Sequence, residues 1–169
     1  MEVQACLQAR RSIRRFTDEP VPKAHIDALL HAAMSGPSAC NARPWAFYVA
    51  AGTQALEKLR AATPYTRMLA PLAIVVCGDL TKTLPEERAQ FWVQDCSAAT
   101  ENILLAATDL GLGTVWCGIH PKQEAEANVR AALALPETMI PLNIIYVGHP
   151  AEQHRARDQY DERCVHFVE

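Results

Sequence analysis

The chain has 169 residues, is 50% hydrophobic and 21% charged, and carries a formal net charge of −3 at pH 7. That length supports one sizeable core and not two comfortable ones, so residues 1–169 read as a single domain. The acidic balance argues against a generally polyanion-binding surface, and the apolar runs Leu69 to Cys77 and Ile103 to Ala107 fall well short of a membrane span.

In chain order, Met1 to Ala9 carry Glu2 and Gln4 and lack the basic-then-apolar layout of a signal peptide, which gives a cytoplasmic expectation. Val3, Cys6 and Leu7 stand at helical spacing and predict a first helix over Glu2 to Arg10. Thr17-Asp18-Glu19-Pro20 is a turn, and Pro22 opens a second helix, where a proline in the first turn costs no hydrogen bond. Ile26, Leu29, Leu30, Ala33 and Met34 form its apolar face, and Gly36-Pro37-Ser38 ends it. A polar loop through Asn41 and Arg43 leads to a strand over Trp45 to Ala51 and a short amphipathic helix over Gln54 to Ala62. Leu72 to Cys77, bounded by Pro71 and Gly78, reads as a buried strand.

The longest helical stretch lies between Glu86 and Leu110. From Cys96 onward it points apolar groups almost all the way round, so it must be enclosed, either centrally or across a subunit interface. Gly111-Leu112-Gly113 stops it. A strand over Thr114 to Cys117, a helix over Lys122 to Leu133 and a strand over Leu142 to Val147 follow. The tail, Pro150 to Glu169, is polar but keeps Tyr160, Val165, Phe167 and Val168, which suits docking onto another surface. Helices and strands mix without internal repeats, so the class is α/β or α+β. The six cysteines (Cys6, Cys40, Cys77, Cys96, Cys117 and Cys164) are scattered without zinc-like or CxxC spacing and read as free thiols.

Three segments carry candidate chemistry. Arg10-Arg11-Ser12-Ile13-Arg14-Arg15 concentrates guanidinium groups in an acidic chain, and such planar forks match phosphate and carboxylate oxygens two at a time. Three readings are open for it. One is a solvated loop paired with Asp18, Glu19 and the carboxylates of the long helix. Another is a nucleic-acid contact, weakened by the lack of a second basic stripe. The third is a cofactor phosphate held by Arg10 and Arg11 with the Ser12 hydroxyl. The second segment, Pro37-Ser38-Ala39-Cys40-Asn41-Ala42-Arg43-Pro44-Trp45, sets polar groups in a loop stiffened by two prolines; Ser38 and Asn41 are equally ordinary as turn residues, and Trp45 as core. The third, Gly111 to Ile119, lacks the third glycine of a dinucleotide fingerprint and by itself is a helix stop followed by a strand, although Gly118 leaves room for backbone to approach a flat ligand. No serine–histidine–acid set or metal cluster stands out; His25 and His31 read as surface residues of the second helix and His120 as a turn residue. Cys40 and Cys117 lie inside the ligand loops, either as small space-fillers or in a redox role.

In this order and spacing the segments resemble the nitroreductase family of flavin enzymes. The matching runs are Arg10-Arg11-Ser12-Ile13-Arg14 with Phe16, Pro37-Ser38 through Asn41 to Pro44-Trp45, the long helix into Gly111-Leu112-Gly113-Thr114-Val115-Trp116, and Ile144 to Gly148-His149-Pro150. The resemblance spans nearly the whole chain. It implies an α+β fold, a nitroreductase-like α/β sandwich with a central, mainly antiparallel sheet flanked by helices, and an intertwined homodimer with FMN at the subunit interface. It also implies site residues: Arg10 and Arg11 at the FMN phosphate and ribityl end with Ser12 beside them, and Arg14 at the pyrimidine side of the flavin. Pro37, Ser38 and Asn41 match the loop that reaches the flavin from the partner subunit, and Trp116, Cys117 and Gly118 the strand end whose backbone faces the ring. A basic pair two residues apart is frequent in the family's tail; here Arg157-Asp158-Gln159 keeps the first member and replaces the second, with Arg155 as the alternative cation.

The activity so implied is that of an FMN-dependent oxidoreductase. Hydride passes from NADH or NADPH through bound flavin to a small-molecule electron acceptor, such as a nitroaromatic or a quinone, in a ping-pong cycle. No side-chain acid or nucleophile is required, because the flavin carries the chemistry. Neither nucleic acid nor membrane is an expected partner. The alternatives are a flavin-binding or regulatory dimer without turnover, and a specialised relative that fragments flavin or removes halogen. The short connection between Leu72–Cys77 and the long helix leaves little to cover a flavin beyond Pro64-Tyr65-Thr66 and Pro85 to Trp92.

Overall fold

Eight consecutive buried residues, Leu72–Asp79, form the strand β2 around which the chain folds. A computed structural model, which describes residues 1–168, places β2 in a four-stranded antiparallel sheet of order β1-β2-β4-β3, where β1 is Trp45–Ala50, β3 Gly113–Gly118 and β4 Met139–Gly148. Successive side chains leave a strand on opposite faces, so an unbroken apolar run needs both faces covered. On one face Leu72, Ile74, Val76, Ile145 and Val147 meet Leu29 and Ala33 of α2 (Lys23–Met34) and Cys96, Ala99, Ile103 and Ala107 of α4 (Trp92–Asp109). On the other, Ala73, Val75, Cys77, Ile144 and Tyr146 meet Leu56 and Leu59 of α3 (Thr53–Ala61) and Ala125 and Val129 of α5 (Gln123–Leu133). The result is an α+β sandwich. Each fully buried Leu or Ile in these layers contributes about 1.5–3 kcal/mol of transfer free energy.

The enclosure of α4 follows from its composition: only Gln94 and Asp109 of that helix are exposed. Its outer side is partly covered by α1 (Val3–Ala9), where Cys6 Sγ donates to Leu105 O at 3.2 Å. Gly36, after α2, sits directly on α4 backbone, since a β-carbon there would lie 3.3 Å from Ala99 N. Two boundaries differ from the sequence pattern by three residues or more, the others by one or two. The helical stretch from Glu86 is a 3-10 segment, Glu86–Phe91, before α4 begins at Trp92. β4 starts at Met139 rather than Leu142, because a register shift between Val76 and Cys77 accommodates Pro141, which has no N–H to give the ladder.

Main-chain donors of the tail tie it to the rest of the chain at two points: Ala151 N donates to Arg15 O at 2.9 Å and Arg157 N to Gln8 O at 3.3 Å. Beyond them Phe167 and Val168 are each 94% exposed in the single chain, and Glu169 lies outside the described residues. Among the described residues no helix is long and apolar enough to cross a membrane.

Candidate functional site

β3 is an edge strand, and the arginine segment lies along its start. Ile13 N donates to Thr114 O at 2.8 Å, and Ser12 bridges Thr114 in parallel. Gly113 permits this approach, since a β-carbon there would stand 2.8 Å from Ile13 Cγ2. Hydrogen bonding in an antiparallel ladder alternates residue by residue. Ile119 N bonds toward β4, to Leu142 O at 2.9 Å, whereas Thr114 O bonds away from it, to Ile13. Thr114, Trp116 and Gly118 therefore turn their backbone outward. Ser12 and Ile13 cover Thr114, which leaves the N–H groups of Trp116 and Gly118 facing the sheet edge. Space is open beside Gly118: within 4 Å a β-carbon there would meet only Trp116 Nε1, at 3.9 Å.

The guanidinium groups are held unequally. Arg10 Nε lies 3.4 Å from Glu101 Oε1 of α4, a half-exposed pair that contributes about 0–1 kcal/mol. Among the described residues no carboxylate reaches ion-pair distance of Arg11, Arg14 or Arg157. Glu19 faces His149 instead, at 3.7 Å, so the solvated-loop pairing with Asp18 and Glu19 does not form. The Arg14 backbone is fixed by Glu152, whose Oε1 accepts from Arg14 N at 2.7 Å and Arg15 N at 3.3 Å. Those bonds, Arg14 N–H foremost, hold the Glu152 carboxyl below its usual range. The bond from Arg157 N to Gln8 O brings the tail back beside the helix that leads into Arg10.

Cys117 points to the opposite face from Trp116 and Gly118. It is 4% exposed, and burial pushes its thiol up to about 11 against the opposing charge of Arg14. Its Sγ lies 3.8 Å from Tyr65 O, and the Tyr65 ring carries Lys122 Nζ 4.3 Å above its centre, beside a cavity of about 200 Å³. Trp116 is half-buried against the α2–α4 layer.

The 37–44 loop is built differently. Cys40, Asn41 and Arg43 all take left-handed backbone, with φ of 50°, 55° and 48°. Ser38 Oγ accepts from Arg43 N at 3.0 Å, so that hydroxyl does serve its own turn, and Trp45 is core at 7% exposed. The loop enters β1, at the sheet edge opposite β3. Three strand spacings, about 14 Å, separate those edges. One chain thus brings the segment Arg10, Arg11, Ser12 and Arg14 alongside the strand that holds Trp116, Cys117 and Gly118, with Arg157 tied to Gln8 of α1, and leaves Pro37, Ser38 and Asn41 at the opposite edge.

Three further residues escape a sequence reading. Asp95 accepts from Ala39 N at 2.9 Å, and its one visible sign is a carboxylate among the apolar positions of α4. Glu152 shows no sign at all, since the groups it holds in the arginine segment are main-chain N–H groups; its side-chain partner is His154, at 3.5 Å. His120 is not a free turn residue: Nδ1 lies 2.8 Å from Glu126 Oε1 and the ring stands edge-on to Trp92 at 4.9 Å. Among the described residues no cluster of three or more potential metal ligands occurs.

An antiparallel sheet with helices on both faces, a donor-bearing edge strand and an arginine segment docked beside it define the class. The sequence matches the nitroreductase family over residues 7–66 and 65–149, and the chain belongs to that family. It is 45% identical over 169 residues to a Methanothermobacter thermautotrophicus protein named "Putative NADH dehydrogenase/NAD(P)H nitroreductase", covering 99% of this chain and 87% of that protein. The crystal structure of a protein of the same designation from Parabacteroides distasonis superposes with a TM-score of 0.92 at 37% identity, over 99% of this chain and 98% of that one. An FMN-dependent nitroreductase from Clostridium difficile gives a TM-score of 0.85 at 31% identity, over 97% of this chain and 98% of that one.

Proposed function

We propose that residues 1–169 form one FMN-binding domain that works, as a homodimer, as an NAD(P)H-dependent oxidoreductase. The observation that carries this reading is the β3 edge, where unpaired guanidinium groups and outward N–H groups flank the open space beside Gly118. Those donors suit a ligand with an anionic end and a flat, hydrogen-bonding ring. The C. difficile relative's dependence on FMN and the NAD(P)H designation of the M. thermautotrophicus relative support the same choice.

Arg10, Arg11 and Ser12 would hold the phosphate and ribityl end, with Arg157 approaching from the tail. Arg14, fixed at its backbone by Glu152, would place positive charge at the pyrimidine side, where charge develops on reduction. The N–H groups of Trp116 and Gly118 would bind the ring edge, while Cys117 between them is paired with Ile144 of β4 and offers the ring no free donor. Pro37, Ser38 and Asn41 would come from the second subunit, which accounts for their place at the far edge of their own sheet. Exposed Val3 and Leu7 on α1, together with Phe167 and Val168, supply apolar surface for that dimer. Bound FMN would supply the redox chemistry between NAD(P)H and a small acceptor such as a nitroaromatic or quinone.

The test is the visible spectrum of the purified protein, followed by anaerobic addition of NADH or NADPH. Flavin bands that bleach on addition and return with menadione are expected. A colourless protein that FMN cannot reconstitute would overturn the cofactor, and a stable flavin-loaded monomer in sedimentation would overturn the dimer.

A further inference from the structure

Among the buried residues of α4, one is a carboxylate: Asp95, 6% exposed. A buried carboxylate is costly unless hydrogen-bonded. Among the described residues the one hydrogen bond its side chain accepts comes from Ala39 N at 2.9 Å, 56 residues earlier in the chain. That bond enters the 37–44 loop at the first residue of its 3-10 turn, Ala39–Asn41, immediately before the left-handed residues Cys40 and Asn41. Non-glycine residues keep such backbone only where the surroundings over-determine it. The loop's ends are fixed by other contacts: Gly36 on the α4 backbone, and Pro44, whose carbonyl accepts from Asp79 N at 2.7 Å. Ser38 Oγ is occupied within the loop by Arg43 N. Asp95 is thus the side chain from outside the loop that fixes its middle.

We propose that Asp95 is a positioning residue that presets the 37–44 loop for the flavin. This rests on the reading of Pro37, Ser38 and Asn41 as flavin contacts. Asp95 does not touch the ligand; it removes the ordering cost that a loose loop would meet on binding. A competing role is electrostatic, because an acidic group in the first turn stabilises a helix N-terminus through its charge. The two roles separate by substitution. Asp95→Asn loses the charge but keeps an oxygen that accepts from Ala39 N; Asp95→Ala loses both. Ala39→Pro approaches the same bond from the donor side, and Ser38 already has the extended backbone that a following proline requires.

The experiment compares flavin-free wild type, Asp95→Asn, Asp95→Ala and Ala39→Pro by hydrogen–deuterium exchange of the 37–44 peptide and by FMN titration. In Asp95→Ala, loop amides should exchange at least about tenfold faster, with β2 and β4 unchanged, and FMN should bind about tenfold more weakly, the scale of a charge-assisted hydrogen bond. Ala39→Pro should behave like Asp95→Ala, and Asp95→Asn should stay near wild type in both measurements. Unchanged loop exchange in Asp95→Ala and Ala39→Pro, or equal effects of Asn and Ala at position 95, would overturn the proposal. So would a loosened loop with undiminished FMN affinity. If wild-type protein took up no FMN, the flavin reading would fall by that result alone, and the exchange data would still decide whether Asp95 holds the loop.

Discussion

Ile13 occupies the space that a side chain on Gly113 would need: its Cγ2 lies 2.8 Å from the position of a β-carbon there. The contact lets the arginine segment lie against β3 closely enough for Ile13 N to reach Thr114 O. Gly113→Ala should therefore push Ile13 away and cost about 1–3 kcal/mol, as overpacking does. It should also weaken FMN binding by loosening Ser12 and its neighbours. Urea unfolding and an FMN titration check both effects. Wild-type stability in Gly113→Ala would show that the segment tolerates displacement.

Within the arginine segment it is Arg10 that has a carboxylate partner, Glu101, yet that half-exposed pair is weak and leaves the guanidinium available to an anion. Arg10→Ala should weaken FMN binding by roughly ten- to a hundredfold, the scale of a lost charge-assisted hydrogen bond. His25→Ala, on the α2 side of the molecule, should leave it unchanged. Isothermal titration of both variants makes the comparison. Equal affinities would remove Arg10 from the phosphate site.

Much of this was legible from the residues, for identifiable reasons. The Leu/Ala/Ile/Val run of β2 and the nearly all-round apolar α4 announce buried elements, because burial is a property of composition. The arginine segment is conspicuous against an acidic chain. What stayed hidden depends on partners distant in sequence. The outward face of Gly118 follows from the register of β3 on β4, and the fixing of Arg14 from a carboxylate 138 residues away. Pro141 concealed the start of β4, since a proline argues against a strand until a bulge is seen to absorb it.

Glu152 offers a pH-dependent check. Its carboxyl is held below the ordinary 4.5, first by the Arg14 N–H bond. A depressed value in the folded state means that the stabilisation is complete above the unfolded value and is lost as pH falls through the lower folded one. Glu152→Gln should thus lower stability at neutral pH, with the difference from wild type shrinking as pH drops below 4.5. Denaturant midpoints measured from pH 7 down to about pH 3 follow it. A difference that stays constant over that range would mean that the charge on Glu152 contributes nothing.

Cys117 and Gly118 are neighbours with opposite exposures, and they separate side-chain from backbone roles. Burial holds the Cys117 thiol up to about 11, so at pH 8 it stays protonated and unreactive while exposed Cys164 is alkylated. Peptide mapping after brief iodoacetamide treatment reads this directly. Cys117→Ala should cost about 1 kcal/mol of stability, the scale of a small buried group, and keep FMN affinity within about twofold, because its side chain is buried on the opposite face and its main chain is paired with β4. Gly118→Val should do the reverse. Its new β-carbon meets nothing closer than Trp116 Nε1 at 3.9 Å, so the fold should persist, while the added methyl groups fill the open space and block a flat ring. A folded Gly118→Val protein that still binds FMN at wild-type affinity would place the flavin elsewhere than beside the β3 edge.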